Sequence, residues 1–400
     1  MAALDTIRTL GVVLTAECNL RCGYCYQNAK KPRSMTWDTL RAALDLALAS
    51  RSQSVDLYFT GGEPLLEFPM MGRAVEYVGK NRSPDKQIRY AITTNGTLIS
   101  REIASFLEDH LFDVHLSFDG IADAQDLRGP NTFAVLDRLL DHFRERRADF
   151  YRWNVTICMT IAPSTVAYLP ASIDYFLEKG ARRISMAPSF MPDPSWSIER
   201  IEELNRAFEL VFESSFRHAR ATGTVPVLAF RNRGGPIRCT EGGPLCGIAQ
   251  GKGFAADVDG QAYGCAAIAG SYQEFASPFM RDRLDPMRMG SIHDPALVAR
   301  FASFPEAVRR AGMFHCKENK HSTYRRCRDC EFLAACSVCP ASIGHLPGNA
   351  DPDRMNDFCC AFNMASLKYR ERFPRERTLG DLRRASAELS AIVERWKTIC

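Results

Sequence analysis

The sequence has no uninterrupted run of about 18 apolar residues, which excludes a membrane-spanning helix by hydropathy. The short apolar run from residue 10 to residue 16 has a single basic residue before it, Arg8, so it makes a poor signal peptide. Charge of one sign is also missing, because 51 basic residues face 47 acidic ones, and this balance disfavours a nucleic-acid partner. These absences predict a cytoplasmic protein with neither a membrane nor a nucleic acid as partner.

Cysteine, in contrast, is abundant. The chain of 400 residues contains 15 cysteines, although nothing in it indicates export to an oxidising compartment. A reducing cytosol does not maintain disulfides, so the cysteines point to metal or redox chemistry. The remaining composition, with 46% hydrophobic and 24% charged residues, is typical of a globular protein of two or three domains.

The first 190 residues alternate short apolar runs with amphipathic stretches, which is the pattern of strand-helix units around a parallel sheet. Six strands are predicted, at residues 7–15, 55–59, 88–94, 113–118, 153–161 and 183–187. Helices are predicted between them at residues 36–49, 100–110, 132–146 and 167–179. Six such units fit an α/β fold in the form of an open or partial (β/α)6 barrel.

Beyond the predicted barrel the pattern changes. A Pro-rich break at residues 188–194 precedes a helical pattern at 198–222, and cysteines then crowd between residues 234 and 360. Metal sites rather than apolar packing are expected to fix the fold of that part. We predict a barrel at 1–195, a helical linker at 196–233, a cysteine-rich domain at 234–370 and a C-terminal helix at 371–400.

Three cysteines follow the first predicted strand: Cys18, Cys22 and Cys25. Three thiolates on one loop can hold three irons of a [4Fe-4S] cluster and leave the fourth iron open to another ligand. The alternatives are an unrelated cysteine-rich loop and a structural zinc site. Zinc would need four closed ligands, and no fourth Cys or His lies near this loop in the sequence.

The spacing Cys-x3-Cys-x2-Cys with Tyr24 inside it resembles the signature of the radical S-adenosylmethionine (radical SAM) superfamily. The resemblance implies that the open iron binds the amino and carboxylate groups of S-adenosylmethionine. It also implies that electron transfer cleaves this cofactor to a 5′-deoxyadenosyl radical. Tyr24 is then expected at the cofactor site.

The second strand ends in Gly61-Gly62-Glu63-Pro64, which resembles the family motif that meets the methionine amino group. Glycines allow close approach of the backbone to a ligand, and the Glu63 carboxylate could accept from an ammonium. The alternative is an ordinary Gly-Gly turn before a helix.

The third and fourth strands end in further polar residues. Asn95 offers donors and acceptors to a ribose or carboxylate. Ser117 and, downstream, Arg128 match positions that in relatives hold the carboxylate and ribose side of S-adenosylmethionine. Asp119 is either a ligand contact or an Asx-turn residue.

Motifs at the carboxyl ends of consecutive strands share one rim of a barrel, where β/α barrels build active sites. Strand alternation places His115 on the same face as Ser117, so both are expected to point into the lumen. His115 is therefore a candidate catalytic residue, although a satisfied core histidine is the commoner case.

The distal cysteines resemble the SPASM domain, a C-terminal extension of radical SAM enzymes that binds two auxiliary [4Fe-4S] clusters. The resemblance rests on Gly260-x4-Cys265 and on the run Cys327-x2-Cys330-x5-Cys336-x2-Cys339, in which relatives usually have three residues in the last gap. A zinc ribbon is the alternative, but ribbons separate their knuckles by about 15 to 20 residues.

The family pattern implies two ligand sets. One cluster would take Cys239, Cys246, Cys265 and Cys339, and the other Cys327, Cys330, Cys336 and either Cys359 or Cys360. Cys158 is expected to be buried and inert. Cys316 is an alternative ligand or a hydrogen-atom donor and hence a second catalytic candidate.

Relatives that combine these two domains mostly modify peptides, so the resemblance implies a peptide-modifying maturase that forms thioether or carbon-carbon crosslinks or oxidises a residue. Expected partners are a peptide or protein substrate, a separate peptide-recognition protein and an electron donor such as flavodoxin or ferredoxin. A first alternative is an anaerobic sulfatase-maturing enzyme that makes formylglycine, but Ala266 stands where those enzymes have an aspartate base. A second alternative is a non-catalytic iron-sulfur electron carrier.

Overall fold

A nine-stranded sheet organises the chain. The computed structural model describes residues 7–27, 31–231, 253–273, 278–311, 317–336, 339, 342–343 and 346–373. The strands are β1 (Thr9–Thr15), β2 (Ser54–Gly61), β3 (Gln87–Thr94), β4 (Asp113–Ser117), β5 (Val155–Ile161), β6 (Ile184–Pro188), β7 (Gly253–Ala256), β8 (Gln261–Tyr263) and β9 (Arg288–Ser291). Their order in the sheet is β6-β5-β4-β3-β2-β1-β7-β8-β9, and β1 to β6 are parallel.

Helices connect the parallel strands. They are α1 (Trp37–Leu48), α2 (Phe68–Asn81), α3 (Arg101–Asp109), α4 (Ala122–Gln125), α5 (Thr132–Arg146), α6 (Ala148–Asn154), α7 (Leu169–Glu178), α8 (Ile201–Thr222), α9 (Pro278–Leu284), α10 (Leu297–Ala311) and α11 (Asp357–Arg372). Helices α1 and α3 begin at side-chain caps, because the hydroxyls of Thr36 and Ser100 accept from the backbone N–H groups of Thr39 and Ile103.

The predicted α/β fold with a parallel barrel sheet is confirmed. The predicted strand boundaries differ from the observed ones by up to two residues. At the fifth strand the reason is that residues 153 and 154 end α6, so that β5 begins only at Val155. Helices α10 and α11 were not predicted, because they lie in the stretch whose pattern was read as cysteine-dominated. The predicted C-terminal helix at 371–400 lies outside the described residues beyond Phe373.

The barrel core lies between the sheet and its helices. Phe118, which is fully buried, packs edge to face on Phe176 of α7 with ring centroids 5.1 Å apart. Burying such a side chain contributes roughly 1.5–3 kcal/mol. The other face of the same strands carries the half-buried residues His115, Ser117 and Cys158. Alternation along the strands therefore separates a packed outer core from an accessible lumen.

The cysteine-rich part continues the sheet of the barrel. Strand β7 pairs in parallel with β1, with Gly11 opposite Ala255, and β8 and β9 follow in antiparallel order. The predicted boundary at residue 234 therefore does not interrupt the sheet, and the four domain ranges stay predictions. Helix α8 also contacts the cysteine-rich part, because the rings of its Phe208 and of Phe362 on α11 pack with centroids 5.0 Å apart.

Candidate active site and cysteine-lined cavity

The cysteine loop begins directly after β1. Cys18 is buried, and Cys22 and Cys25 are half-buried. The loop is held at Gly23, whose backbone N–H donates to the carbonyl of Leu127 at 2.8 Å. The three thiols are thus presented on one anchored loop at the carboxyl end of the first strand, as the sequence predicts.

Asn95 connects the end of β3 to this loop. Its side-chain nitrogen donates to the side-chain oxygen of Asn19 at 2.8 Å and lies 4.0 Å from the Cys18 sulfur. Its carbonyl oxygen accepts from the backbone and the hydroxyl of Thr97. The polar groups that the sequence assigned to a ligand are therefore engaged with protein, and Asn95 orients the cysteine loop.

Gly61 and Gly62 approach the chain just before the cysteine loop. A Cβ at Gly61, whose φ is +151°, would lie 2.4 Å from the Thr15 carbonyl oxygen, and one at Gly62 would lie 2.1 Å from that of Glu17. The Gly62 N–H donates to Thr15, and the Glu63 N–H donates to Glu17, both at 2.8 Å. The close approach that the structure shows is to the segment that leads into Cys18, and a contact of these glycines with a ligand stays a prediction.

The Glu63 carboxylate is fully buried. It accepts hydrogen bonds from the Leu65 N–H at 3.1 Å, the Thr94 hydroxyl at 2.7 Å and the Asn95 N–H at 2.7 Å. Burial raises its pKa to about 7. Protein donors surround this carboxylate, and it ties the end of β2 to the end of β3. Its contact with a ligand ammonium stays a prediction.

Tyr24, Asp119 and Arg128 form a buried network behind the loop. The Tyr24 hydroxyl donates to Asp119, and Arg128 donates to the same carboxylate at 2.8 Å. The backbone N–H of Thr160 on β5 is a third donor to Asp119, at 2.8 Å. Burial raises the pKa of Tyr24 well above its usual range, so the hydroxyl stays protonated and donates.

The network gives Asp119 and Arg128 partners within the protein. The Asp119 carboxylate is buried and accepts from Tyr24, Arg128 and the Thr160 N–H, which is not the bonding of an Asx turn. Arg128 directs Nη2 to Asp119, while its Nε is buried without a hydrogen-bond partner, and its contact with the cofactor stays a prediction. Sequence reasoning missed the network because its members lie 95 and 9 residues apart along the chain.

The lumen holds His115 and Ser117, as the alternation predicts, and it also holds Tyr58. The Tyr58 and His115 rings lie 5.8 Å apart, and the Tyr58 hydroxyl is hydrogen-bonded to Thr93. Burial lowers the pKa of His115, which favours the neutral ring. Tyr58 could have been found in the sequence, since Asp56, Tyr58 and Thr60 alternate along β2; the catalytic role of His115 stays a prediction.

The distal cysteines separate into two places. Four cysteine thiols line one cavity, here called the cysteine-lined cavity: Cys327, Cys330, Cys336 and Cys360. Cys359 is fully buried elsewhere and directs its thiol to the Ser189 carbonyl at 3.4 Å. The structure thus places Cys360 in the cavity and Cys359 outside it, and which of the two binds a cluster stays a prediction.

The other predicted ligands are only partly described. Cys265 is exposed, and Cys339 is half-buried near both Tyr26 and Cys359. Cys239, Cys246 and Cys316 lie outside the described residues. Cys158, expected to be buried, is half-buried and faces the lumen, where burial raises the pKa of its thiol to about 11.

Both cysteine sets fit an iron-sulfur cluster in the chemistry of their donors. Within the described ranges, no three His, Cys, Asp or Glu side chains are placed around one point as a single metal ion requires. A cluster has a different need, because each thiolate binds its own iron and the thiols surround a larger group. Four thiols line one largely apolar cavity, and three further thiols lie on one loop. Both arrangements suit a cluster better than they suit a single zinc ion.

A family model described as the Radical SAM superfamily matches residues 12–176, from within β1 into α7. Residues 12–176 belong to the radical SAM superfamily. The predictions of this family, of an enzyme, and of S-adenosylmethionine with a [4Fe-4S] cluster as cofactors of the barrel are thereby confirmed. The roles of the individual site residues stay predictions.

Comparison with known proteins extends the likeness. A cysteine-type anaerobic sulfatase-maturating enzyme of Clostridium perfringens is 28% identical over 178 residues, or 41% of this chain and 47% of that protein. The chain thus spans about half of that relative's length. The structure of native anSMEcpe with bound AdoMet and Kp18Cys peptide matches with a TM-score of 0.67 at 19% identity, over 90% of this chain and 96% of that one. Streptococcus suis SuiB bound to precursor peptide SuiA matches with a TM-score of 0.52 at 14% identity, over 89% and 76%.

At these identities the two solved structures show a shared fold, and the shared region includes the cysteine-rich part as well as the radical SAM barrel. In the described part of the chain, no helix has both the length and the apolar character needed to cross a bilayer. The cytoplasmic location stays a prediction.

Proposed function

We propose that this protein is a radical SAM enzyme that modifies a peptide or protein substrate by hydrogen abstraction, forming a thioether or carbon-carbon crosslink or oxidising a residue. The observation that carries the proposal is the cavity lined by Cys327, Cys330, Cys336 and Cys360 in a chain whose barrel is a radical SAM domain. Support for a peptide substrate comes from the two solved structures of the same fold that contain a bound peptide.

In this proposal Cys18, Cys22 and Cys25 hold the cluster of the barrel. When bound there, the cluster and S-adenosylmethionine supply the 5′-deoxyadenosyl radical that abstracts hydrogen. The chain positions this site through Asn95, which orients the loop, and through Gly62, which fixes the backbone before it. The carboxyl ends of β1 to β4 thus form the rim against which the reaction takes place.

The lumen below this rim surrounds the part of the substrate that reacts. Tyr58, His115, Ser117 and Cys158 line it, and Tyr24 closes it on one side through its bond to Asp119. Burial keeps His115 neutral and the Cys158 thiol protonated at neutral pH, so the lumen carries little charge. A polar but uncharged wall that excludes water suits radical chemistry on a neutral peptide segment.

The distal cysteines hold the auxiliary clusters. One takes Cys327, Cys330, Cys336 and Cys360. The other takes Cys265 and Cys339 together with Cys239 and Cys246, which lie outside the described residues. Such clusters would accept the electron that a net oxidation of the peptide releases, or relay an electron to the barrel. Reductive cleavage of S-adenosylmethionine consumes one electron, so the enzyme also needs an electron donor of the flavodoxin or ferredoxin type. A separate peptide-recognition protein is a further expected partner.

Formylglycine formation is the second candidate, and the likeness to anSMEcpe over most of the chain favours it. The described residues offer no carboxylate directly after Cys265, where Ala266 begins a short 3-10 turn. Nearby Asp257 is fully buried and bound by Ser271, so it is not free to act as a base. Co-expression with a cysteine-type sulfatase separates the candidates, since formylglycine in that sulfatase would establish the second one.

The decisive experiment is anaerobic reconstitution followed by two measurements, iron per chain and dithionite-dependent release of 5′-deoxyadenosine. We expect about twelve irons, for three clusters, and release of 5′-deoxyadenosine. About four irons with 5′-deoxyadenosine would contradict the auxiliary clusters. A fully loaded protein that releases none, and whose reduced cluster shows no change in its paramagnetic resonance spectrum with S-adenosylmethionine, would be the electron carrier instead.

A further inference from the structure

A basic pocket opens on the surface of the cysteine-rich part. It has a volume of about 560 Å³ and is lined by residues 318–326 together with Arg328. Its charged lining consists of one acid, Glu318, and four basic residues, Lys320, Arg325, Arg326 and Arg328, besides His321. We call it the basic pocket. A surface of this kind attracts a negatively charged partner.

The floor of the basic pocket is rigid. Lys320 is buried, and its ammonium donates to the Asp353 carboxylate at 2.5 Å and to the Pro352 carbonyl at 3.0 Å. His321 is held by Asp351 at 2.8 Å. Arg326 and Arg328 are exposed, and neither forms a salt bridge to an acid of the described ranges. Lys320 and His321 are thus held in place by acidic residues beneath a rim of arginines that solvent reaches.

The basic pocket lies directly outside the cysteine-lined cavity. Lys320 and Arg325 line both, so a single layer of side chains separates them. Arg326 and Arg328 flank Cys327 in the chain, and Cys327 is one of the four thiols of the cavity. A protein seated on this rim would come closer to a cluster in the cavity than one docked on the barrel's outer helices.

We propose that the basic pocket is the docking site for an acidic redox protein that reduces the cluster held by the cysteine-lined cavity. The inference rests on the auxiliary cluster of the proposed function. One electron leaves the reduced partner and enters the oxidised cluster; the partner is oxidised by one electron, and no bond is formed or broken. Charge complementarity selects an acidic protein, and the thin separation from the cavity selects a redox partner.

The test uses the reconstituted full-length protein, an acidic flavodoxin as the partner, and dithionite as a small reductant that needs no docking site. The Arg326→Glu/Arg328→Glu variant reverses both exposed charges. The Arg217→Glu/Arg220→Glu variant makes the same charge change on the exposed side of α8 and is the matched control. The readouts are the dissociation constant of oxidised flavodoxin and the second-order rate of cluster reduction by photoreduced flavodoxin, each at low and high salt.

At low salt we expect the pocket variant to have a dissociation constant for flavodoxin about tenfold higher, and a rate of reduction by flavodoxin about tenfold lower, than the unmodified protein. Both differences should be smaller at high salt. The α8 variant should behave like the unmodified protein. The iron content and reduction by dithionite should be the same in all three, which shows that the variants fold and load.

Equal flavodoxin binding and equal reduction rates in the pocket variant and the unmodified protein would overturn the docking site and leave the auxiliary clusters standing. The same loss in both variants would also overturn it, because the effect would then follow net charge alone. If dithionite reduces no auxiliary cluster in the unmodified protein, the proposed function itself fails, and the docking site with it. Binding of an acidic peptide in place of flavodoxin would assign the basic pocket to the substrate and contradict the proposal.

Discussion

Arg128 donates a 2.8 Å hydrogen bond to Asp119, and the two side chains are only 8% and 3% exposed. The pair lies where the loop after β4, the cysteine loop and β5 meet, because Asp119 also accepts from Tyr24 and from the Thr160 N–H. A buried charge is tolerated when an opposite charge and further hydrogen bonds compensate for lost water. Asp119 therefore fixes the wall of the site behind the cysteine loop.

Asp119→Asn removes the charge that compensates Arg128 while it keeps the shape of the side chain. We expect the free energy of unfolding to fall by roughly 3–5 kcal/mol, because Arg128 would remain buried and uncompensated. Anaerobic urea unfolding measures the change. Asp56→Asn is the control, since the Asp56–Arg89 pair is largely exposed and should contribute at most about 1 kcal/mol. Equal losses in the two variants would contradict the role given to Asp119.

Glu63 makes stability depend on pH. Its folded pKa of about 7 lies above the ordinary value of 4.5, because the carboxylate is buried. Between these two values the folded protein holds a proton that the unfolded chain has lost, so the free energy of unfolding falls as the pH rises through this window. The raised pKa corresponds to about 3 kcal/mol lost between pH 4.5 and pH 7.5.

Urea unfolding of the unmodified protein and of Glu63→Gln across this pH range measures the contribution of Glu63. Glutamine cannot titrate, so the difference between the two curves isolates Glu63 from other raised carboxylates such as that of Asp257. We expect the variant to be less stable at pH 5, because an amide cannot accept at both oxygen positions, and to have a flatter profile. Parallel curves would show that Glu63 is ionised throughout.

Much of the site could be predicted from the sequence because its motifs end consecutive strands, and parallel strands bring their carboxyl ends to one rim. The directions of side chains could not. Whether Asp119 points to a ligand or to Arg128, and whether Gly62 faces a cofactor or Glu17, depends on contacts between distant segments. Cys359 and Cys360 illustrate the same limit. Successive residues of a helix differ by about 100° in direction, so only the packing of α11 shows which thiol enters the cavity.

Cys360→Ser should remove a ligand of the auxiliary cluster, whereas Cys359→Ser should not. We expect iron per chain to fall from about twelve to about eight in the first variant and to stay near twelve in the second. The physical reason is position. Cys360 lines the cavity with three other thiols, while the Cys359 thiol donates a hydrogen bond to the Ser189 carbonyl outside it. Iron analysis after anaerobic reconstitution measures both, and the reverse result would reassign the ligand to Cys359.

Gly62→Ala tests whether the glycine pair serves the cysteine loop. The new methyl group would lie 2.1 Å from the Glu17 carbonyl oxygen, so the segment that leads into Cys18 must move. We expect a loss of roughly 1–3 kcal/mol in the free energy of unfolding, together with slower 5′-deoxyadenosine release, because the displaced loop presents its thiols in a different position.

Gly79→Ala is the matched control, since this exposed glycine of α2 has no atom within 4 Å of the added methyl group. That variant should gain up to about 1 kcal/mol from helix propensity and keep its activity. If Gly62→Ala kept full stability and lost only its activity, the close approach to Glu17 would not be the reason for glycine at this position, and contact with the bound cofactor would be.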